Sequence, residues 1–303
     1  MDVRWLRYFV AIAEAGSFSK AARHLGVAQP ALSRHVREIE EQLGTSALLR
    51  TSRGVTLTED GELLYTSALN ILRQLDSLPS IVGRRGGPVT GRVVIGLPTS
   101  ANVVLALPLL FAVIERLPGV QIHIIESLSG FLREWVQTGR LDLAVLYDAE
   151  TSSSLFVERL VEEELCLVGA PHACASLTPE IRLADVARLP LVLPGLPHSM
   201  RQLVNEVSIQ HNVALDIIAE ADSLHILKAV AASGKAFTIL ARSAARAELD
   251  AGTLDAVRVT DPPLRRSVSL ARPLLRGSNP AVQEVARLCL DLAAELAREG
   301  SWG

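Results

Sequence analysis

The side chains best suited to chemistry sit in one short run, Gln29-Pro30-Ala31-Leu32-Ser33-Arg34-His35-Val36-Arg37. If 30–43 is a helix, Leu32, Val36, Ile39 and Leu43 fall on one apolar stripe. Pro30, Ser33, Arg34 and Arg37 then share a different face, with Gln29 at its entrance. A Gln amide matches the edge of adenine, an Arg fork matches guanine, and Ser can bond base edges or phosphates. That is chemistry for reading DNA. Arg50 and Arg53, at the hairpin turn, can reach phosphates or the adjacent minor groove. A plainer alternative stands beside this one. Arg34 with Glu38, and Arg37 with Glu41, are i,i+4 pairs and read equally as surface salt bridges worth a few tenths of a kcal/mol.

The elements around these residues favour DNA. Leu6, Phe9, Val10, Ile12 and Ala13 recur at helical spacing up to a stop at Gly16. Ser17 or Ser19 caps a short helix, Lys20–Leu25, that ends at Gly26. The third helix, Pro30–Leu43, carries Pro where a first turn tolerates it and ends at Gly44. A small hairpin follows, Leu48-Leu49 and Val55-Thr56-Leu57 around Thr51-Ser52-Arg53-Gly54. Helix, break, short helix, turn and longer helix is the helix-turn-helix plan, whose second helix enters the major groove. Thr58 then caps a long helix with Glu59, Asp60 and Glu62 in its first turn. Leu64, Ala68, Ile71, Leu75 and Leu78 form a two-heptad seam that fits a partner helix or its own domain equally well. Pro79 is expected to end or kink this helix, and 83–88 (GRRGGP) reads as a linker.

From Gly91 the pattern changes to strands alternating with helices, implying crossover units and a mostly parallel sheet. Strands are expected at 93–95, 120–125, 141–146, 165–168, 191–193, 217–220 and 237–240. Helices are expected at 108–117, 131–138, 200–211, 224–233 and 281–298.

Catalytic signatures are weak. His24, His35, His123, His172, His198, His211 and His225 are scattered, and His172-Ala-Cys174 alone does not make a metal site. There is no P-loop, GxSxG or HExxH pattern. Glu162-Glu163-Glu164 reads as a solvated charge run at a strand edge. No enzyme activity, cofactor or metal is expected.

Composition agrees with a globular chain. Of 303 residues 49% are hydrophobic and 21% charged, which excludes intrinsic disorder. Cys166, Cys174 and Cys289 form no CxxC pair, and no signal peptide is visible at the start, so a reduced, cytoplasmic setting is expected. The longest apolar run, Val103–Ile114, has twelve residues and contains Pro108, whereas a membrane span needs about 20. The net charge of −3 conceals an asymmetry. Residues 1–58 carry eight basic and five acidic side chains, net +3, leaving −6 on the other 245 residues.

Residues 1–65 resemble the winged helix-turn-helix of the LysR-type transcriptional regulators, in LRYFVAIAEAGSFSKAARHLGVAQPALSRHVREIEEQLG and LLRTSRGVTLTEDGELLY. Residues 89–303 are similar in pattern to that family's effector-binding domain, notably at GRVVIGL, GRLDLAVLY and GKAFTIL. Within the family, RTSRGVTLTEDGELLY and LDLAVLY are similar to the nitrogen-assimilation-control branch. The resemblance implies an all-α winged helix-turn-helix head at 1–58, a linker and dimerisation helix with hinge at 59–88, and an α/β, two-lobed, periplasmic-binding-protein-like domain at 89–303. Lobe I takes about 89–163 and 263–303, and lobe II about 164–262.

It further implies a DNA-binding transcription regulator, pairing as a homodimer or homotetramer through the 64–78 seam, with a small anion or metabolite as effector in the cleft. RNA polymerase is a further partner it allows; a membrane is not. Gln29, Pro30, Ser33 and Arg34 match the recognition helix, and Arg53 the wing. Thr99 and Ser100, Ser129 and Gly130, and His198, Ser199 and Met200 match effector-contacting turns, where each Ser equally serves as a helix cap. This chain departs from the family pattern at Ala28 before the recognition helix, at Pro79, and at Ala236 and Ala241 in the GKAFTIL stretch. The alternative is a two-lobed solute-binding protein with no transcriptional role; only a DNA binder loses affinity steeply with salt.

Overall fold

The computed structural model describes residues 1–51, 54–82, 88–274 and 279–303, without the side chains of 73, 76, 77 and 79–82. It divides into two units, Met1–Gly87 with Thr138–Arg140, and Pro88–Gln137 with Leu141–Gly303.

The first unit begins with α1 (Val3–Ala15), α2 (Phe18–Leu25) and α3 (Gln29–Leu43). Asp2 and Ser17 cap the first two, and Gly16, Gly26 and Gly44 end all three in the left-handed region that glycine enters freely. Phe9, Ile12, Phe18, Leu32, Val36 and Ile39 are buried together in the head's core. A hairpin follows, β1 (Leu48–Thr51) and β2 (Gly54–Leu57), with Leu48 opposite Leu57. Glu40 on α3 fixes its start, because Oε1 accepts the Ala47 and Leu48 amides at 2.8 and 3.1 Å.

The long helix α4 (Glu59–Val82) starts where Thr58 Oγ1 accepts the Gly61 amide at 2.9 Å. A Cβ on Gly61 would lie 2.0 Å from the Ala47 carbonyl oxygen, so only glycine lets α4 pass this close to the hairpin. The helix runs through Pro79 to Val82 instead of ending there. So near its end, Pro79 costs the helix a single amide bond and leaves the preceding turns intact. Ala68 and Leu72 are buried against Leu6 and Val10 of α1, with Leu64 packed beside them. Leu64 and Ala68, expected in an intermolecular seam, therefore serve the head's own core, whereas Ile71 and Leu78 are exposed.

The second unit opens with β3 (Gly91–Leu97), α5 (Thr99–Arg116), β4 (Val120–Glu126), α6 (Ser129–Gln137), β5 (Leu143–Tyr147) and the long β6 (Leu155–Gly169). Next come α7 (Pro171–Cys174), β7 (Glu180–Arg182), α8 (Leu183–Val186), β8 (Leu191–Leu193), α9 (Ser199–Gln210), β9 (Ile217–Glu220), α10 (Leu224–Ala232) and β10 (Thr238–Ala241). A 3-10 turn (Arg242–Ala245), α11 (Arg246–Asp250), β11 (Asp255–Thr260), β12 (Leu264–Pro273) and α12 (Pro280–Arg298) complete it.

The main sheet has the order β4-β3-β5-β12-β6-β11-β7 with β10 also on β6, and β8-β9 form a separate pair. Pairing is parallel for β3–β4, β3–β5, β7–β11 and β8–β9. It is antiparallel wherever β6 or β12 takes part. The expectation of a mostly parallel sheet is thus corrected to a mixed one, because two long strands thread both lobes in opposite directions. Val161, Val268 and Leu270 belong to the first lobe's core, and Leu165, Leu167 and Leu264 to the second's. The chain crosses between lobes at about 163–165 and 264–266.

Helix α5 begins nine residues before the expected 108 and continues through Pro108. It is long and apolar enough to cross a membrane, yet Ala101, Leu105, Leu109, Ala112 and Val113 line the first lobe's core. Val103, Leu107, Phe111 and Ile114 on the same helix are exposed.

Candidate nucleic-acid interface and effector cleft

On α3 the buried stripe of Leu32, Val36 and Ile39 locks one face into the head. Gln29, Pro30, Arg34 and Arg37 are exposed, and Ser33 is half-buried beside them. Arg34 Nε lies 3.5 Å from Glu38, whose other oxygen contacts His35 Nδ1 at 2.9 Å. That pairing is a loose surface contact, worth little and readily exchanged for a phosphate or base. Arg37 makes no ion pair among the described residues, so the alternative reading of it as a salt-bridge partner of Glu41 does not hold. His35 is clamped between the rings of Trp5 and Tyr8 at 5.5 and 5.6 Å, tying α3 to α1. Ala28 precedes α3 with no side-chain cap, so no side chain competes for the amides of its first turn. Arg50 on β1 stacks over Phe18 at 4.5 Å, which holds its guanidinium against the start of α2. Arg53 lies outside the described residues.

In the second unit an open cleft lies between the lobes. Thr99, Ser100 and Arg266 line it on one side, and Pro194, His198, Met200, Asp222, Leu224 and Leu227 on the other. Its base is built on a buried chain of polar groups. Arg266 and Glu163 are cross-strand partners on β12 and β6, 4% and 1% exposed, with Nη2 to Oε2 at 2.7 Å. Glu163 Oε1 accepts the Trp302 indole N–H at 2.7 Å and the Ser243 hydroxyl at 3.2 Å. Arg266 Nη2 donates to Ser100 Oγ at 3.1 Å, and its guanidinium stacks 3.6 Å from the Tyr147 ring. Ser100 Oγ and Tyr147 Oη are 2.5 Å apart. Burial raises the phenol's pKa, and Arg266 opposes that only in part, so Tyr147 stays protonated.

His198 caps α9 by accepting the Met200 amide on Nδ1 at 3.2 Å. Burial first, and then the Arg266 charge, hold its pKa below the ordinary histidine value. The neutral ring therefore carries its proton on Nε2. No group of three or more metal-ligating side chains occurs among the described residues, and Cys166, Cys174 and Cys289 are buried and unpaired.

Residues 3–62 match the bacterial regulatory helix-turn-helix family of lysR type, and residues 86–294 match the LysR substrate binding domain. The nitrogen assimilation regulatory protein nac of Klebsiella aerogenes is 36% identical over 97% of this chain and 96% of its own length. The chain belongs to the LysR family.

This LysR-type regulator is also 32% identical, over its full length and 93% of the relative's, to the transcriptional regulator BbuR of Bordetella bronchiseptica. In fold it is similar to a full-length point variant of OxyR from Pseudomonas aeruginosa, with a TM-score of 0.76 at 22% identity, covering 97% of this chain and 94% of that one. CbnR complexed with its target DNA gives a TM-score of 0.65 at 20% identity, covering 96% of this chain and all of that one. The protein is thus a transcription regulator with a helix-turn-helix DNA-binding domain and an effector-binding domain.

Of the effector residues expected from sequence, Thr99, Ser100, His198 and Met200 line the regulator's cleft. Ser129 and Ser199 do not line it but approach each other across the lobes, Oγ to Oγ at 3.5 Å, and Gly130 is exposed beside them. Leu240 and Ala241 of the GKAFTIL stretch also line the cleft. The reading of Glu162–Glu164 as a solvated run at a strand edge is corrected. β6 is a central strand, Glu163 is buried against Arg266, and Glu164 binds Arg258 and Arg265 at 2.9 and 2.8 Å. Arg266, Glu163, Tyr147 and Asp222 were missed. Arg266 keeps the two-residue phase of Leu264 and Val268, and Glu163 that of Leu165 and Leu167, so both were legible as inward positions.

Proposed function

We propose that Gln29, Ser33 and Arg34 read base edges in the major groove, with Pro30 seating the helix. Arg37, Arg50 and Arg53 then neutralise phosphates. The observation that carries this is the α3 face itself, with Gln29, Arg34 and Arg37 exposed opposite a fully buried stripe. Two copies pair through the outer part of the α4 seam, the exposed Ile71 and Leu78 with the half-buried Leu75 between them. That gives a homodimer or homotetramer with two heads on a partly palindromic site. The regulator works in the cytoplasm, contacts RNA polymerase, and has no catalytic role. Domain boundaries at 58 and 88 separate head, linker and effector domain, with lobes exchanging near 163 and 263.

The cleft takes a small metabolite bearing an acidic group, held by Thr99, Ser100, His198 and Met200. Ser129, Gly130 and Ser199 form the contact that the lobes make or break around it. Such a ligand shifts the regulator only through unequal affinity for the two lobe arrangements. The test is a binding titration on a specific and a scrambled DNA duplex at several salt concentrations. Arg34→Ala should lose about 1–3 kcal/mol at its own base pair only, and Arg37→Ala should weaken both duplexes alike and lower the salt slope by about 1. Equal losses on both duplexes for Arg34→Ala would remove its base-reading role.

A further inference from the structure

The charges around the cleft do not favour a simple anion. Among the described residues Arg266 is the sole cation lining it, and its charge is balanced by Glu163 at 2.7 Å. Arg201 on α9 is likewise engaged with Glu220 at 2.8 Å. His198, its pKa lowered by burial, is neutral. The uncompensated charge on the lining is negative. Asp222, exposed at the rim, uses Oδ1 to accept the Gly195 amide at 3.0 Å, and its Oδ2 has no partner among the described residues.

Other groups on the lining offer the opposite polarity, as hydrogen-bond donors. Tyr147 stays protonated, and its phenol shares one hydrogen bond of 2.5 Å with the Ser100 hydroxyl, in which either oxygen can donate. Ser100 Oγ also accepts from Arg266. When the phenol donates, both Ser100 lone pairs are occupied and its hydroxyl hydrogen is free to donate into the cleft. His198 adds a second donor, the N–H on Nε2. Much of the remaining lining is apolar, with Leu165, Met200, Leu224, Leu227 and Leu240.

We propose that the effector is amphoteric, an α-amino acid or similar amine-bearing carboxylate with an apolar side chain. Its carboxylate accepts from Ser100 and His198, and its ammonium is held by Asp222 at the rim. This rests on the reading of the cleft as the effector site.

Isothermal titration of the full-length protein tests it with three matched probe sets. These are the amino acids leucine, methionine and phenylalanine; the same carbon skeletons as carboxylic acids without the amine; and the same skeletons as amines without the carboxylate. At least one amino acid should bind about tenfold more tightly than its matched acid, as expected for one charge-assisted hydrogen bond. Asp222→Asn, at an exposed position where folding is not at risk, should erase that preference while leaving the acid's affinity unchanged. Ser100→Ala should weaken amino acid and acid but not amine. Acids that match the amino acids in the wild type, or a preference that survives Asp222→Asn, would overturn the amphoteric assignment and leave the effector cleft standing. If no probe of any set binds, both the assignment and the cleft's role as a small-metabolite site fall.

Discussion

Replacing Glu163 by Gln changes almost no volume and removes one charge from a fully enclosed site. Its two oxygens accept from Arg266, Trp302 and Ser243, so every neighbour is a donor. A Gln amide must turn its NH2 toward one pair of those donors, and it leaves the Arg266 guanidinium, 4% exposed, without a counter-charge. Breaking a buried pair on one side costs about 3–5 kcal/mol, because the remaining charge stays desolvated. For a unit of this size that is a fall in Tm of about 10 °C. Removing both charges is far milder, since an apolar pair of similar volume is often neutral or stabilising. Calorimetry of wild type, E163Q, R266M and E163L/R266M should show the effector-domain transition dropping in the single variants and recovering in the double. The head holds neither residue, and its transition is the internal control. A loss below about 1 kcal/mol for E163Q, or a double variant no more stable than E163Q, would refute the claim that this pair is held by mutual charge compensation.

Gly61→Ala forces a Cβ against the Ala47 carbonyl and should cost the head about 2 kcal/mol, read as a lower head transition and weaker DNA binding; an unchanged transition would show that α4 can shift freely. His198 has a depressed pKa in the fold, so below about 6.5 the unfolded chain binds the extra proton. The stability it contributes is complete above that pH and is lost as pH falls toward the lowered value. His198→Asn, which keeps an acceptor for the cap, should flatten that part of the Tm–pH curve, and a parallel curve would exclude it as the cause. Ile71→Glu with Leu78→Glu should lower the mass measured by light scattering without changing the head's Tm, because both side chains are exposed in the chain; an unchanged mass would put the oligomer contact elsewhere.

The head was legible almost residue by residue. Local signals decide it, namely the stops at Gly16, Gly26 and Gly44 and the stripe of Leu32, Val36 and Ile39. The α4 seam was half legible, since two heptads cannot show whether Ala68 meets a second chain or α1. In the effector domain the alternating elements were found, but β7, β11, β12 and the first part of β6 were not. LFVERLVEEEL and LRRSVSLARP carry their charges inside the strand pattern, so they do not look like buried strands. Each is stabilised by the other, across about a hundred residues, and no window of single-chain pattern contains both. The charged floor of the cleft was lost with them.

The lobe carrying α5 also has a consequence for how the chain assembles. Its core joins Val93, Leu105 and Leu109 to Val285, Cys289 and Trp302, with the whole second lobe inserted between. The inserted lobe is contiguous, since Leu165 to Leu264 supply its core. Contacts of short sequence separation form first, and closing long loops is slow. During synthesis the first lobe's opening strands must therefore wait, partly uncovered, until β12 and α12 have emerged, while the inserted lobe can already be complete. Pulse-labelled hydrogen exchange on refolding should find amides of β8 to β11 protected before those of β3 and β5. The part of the sheet made first is the part finished last.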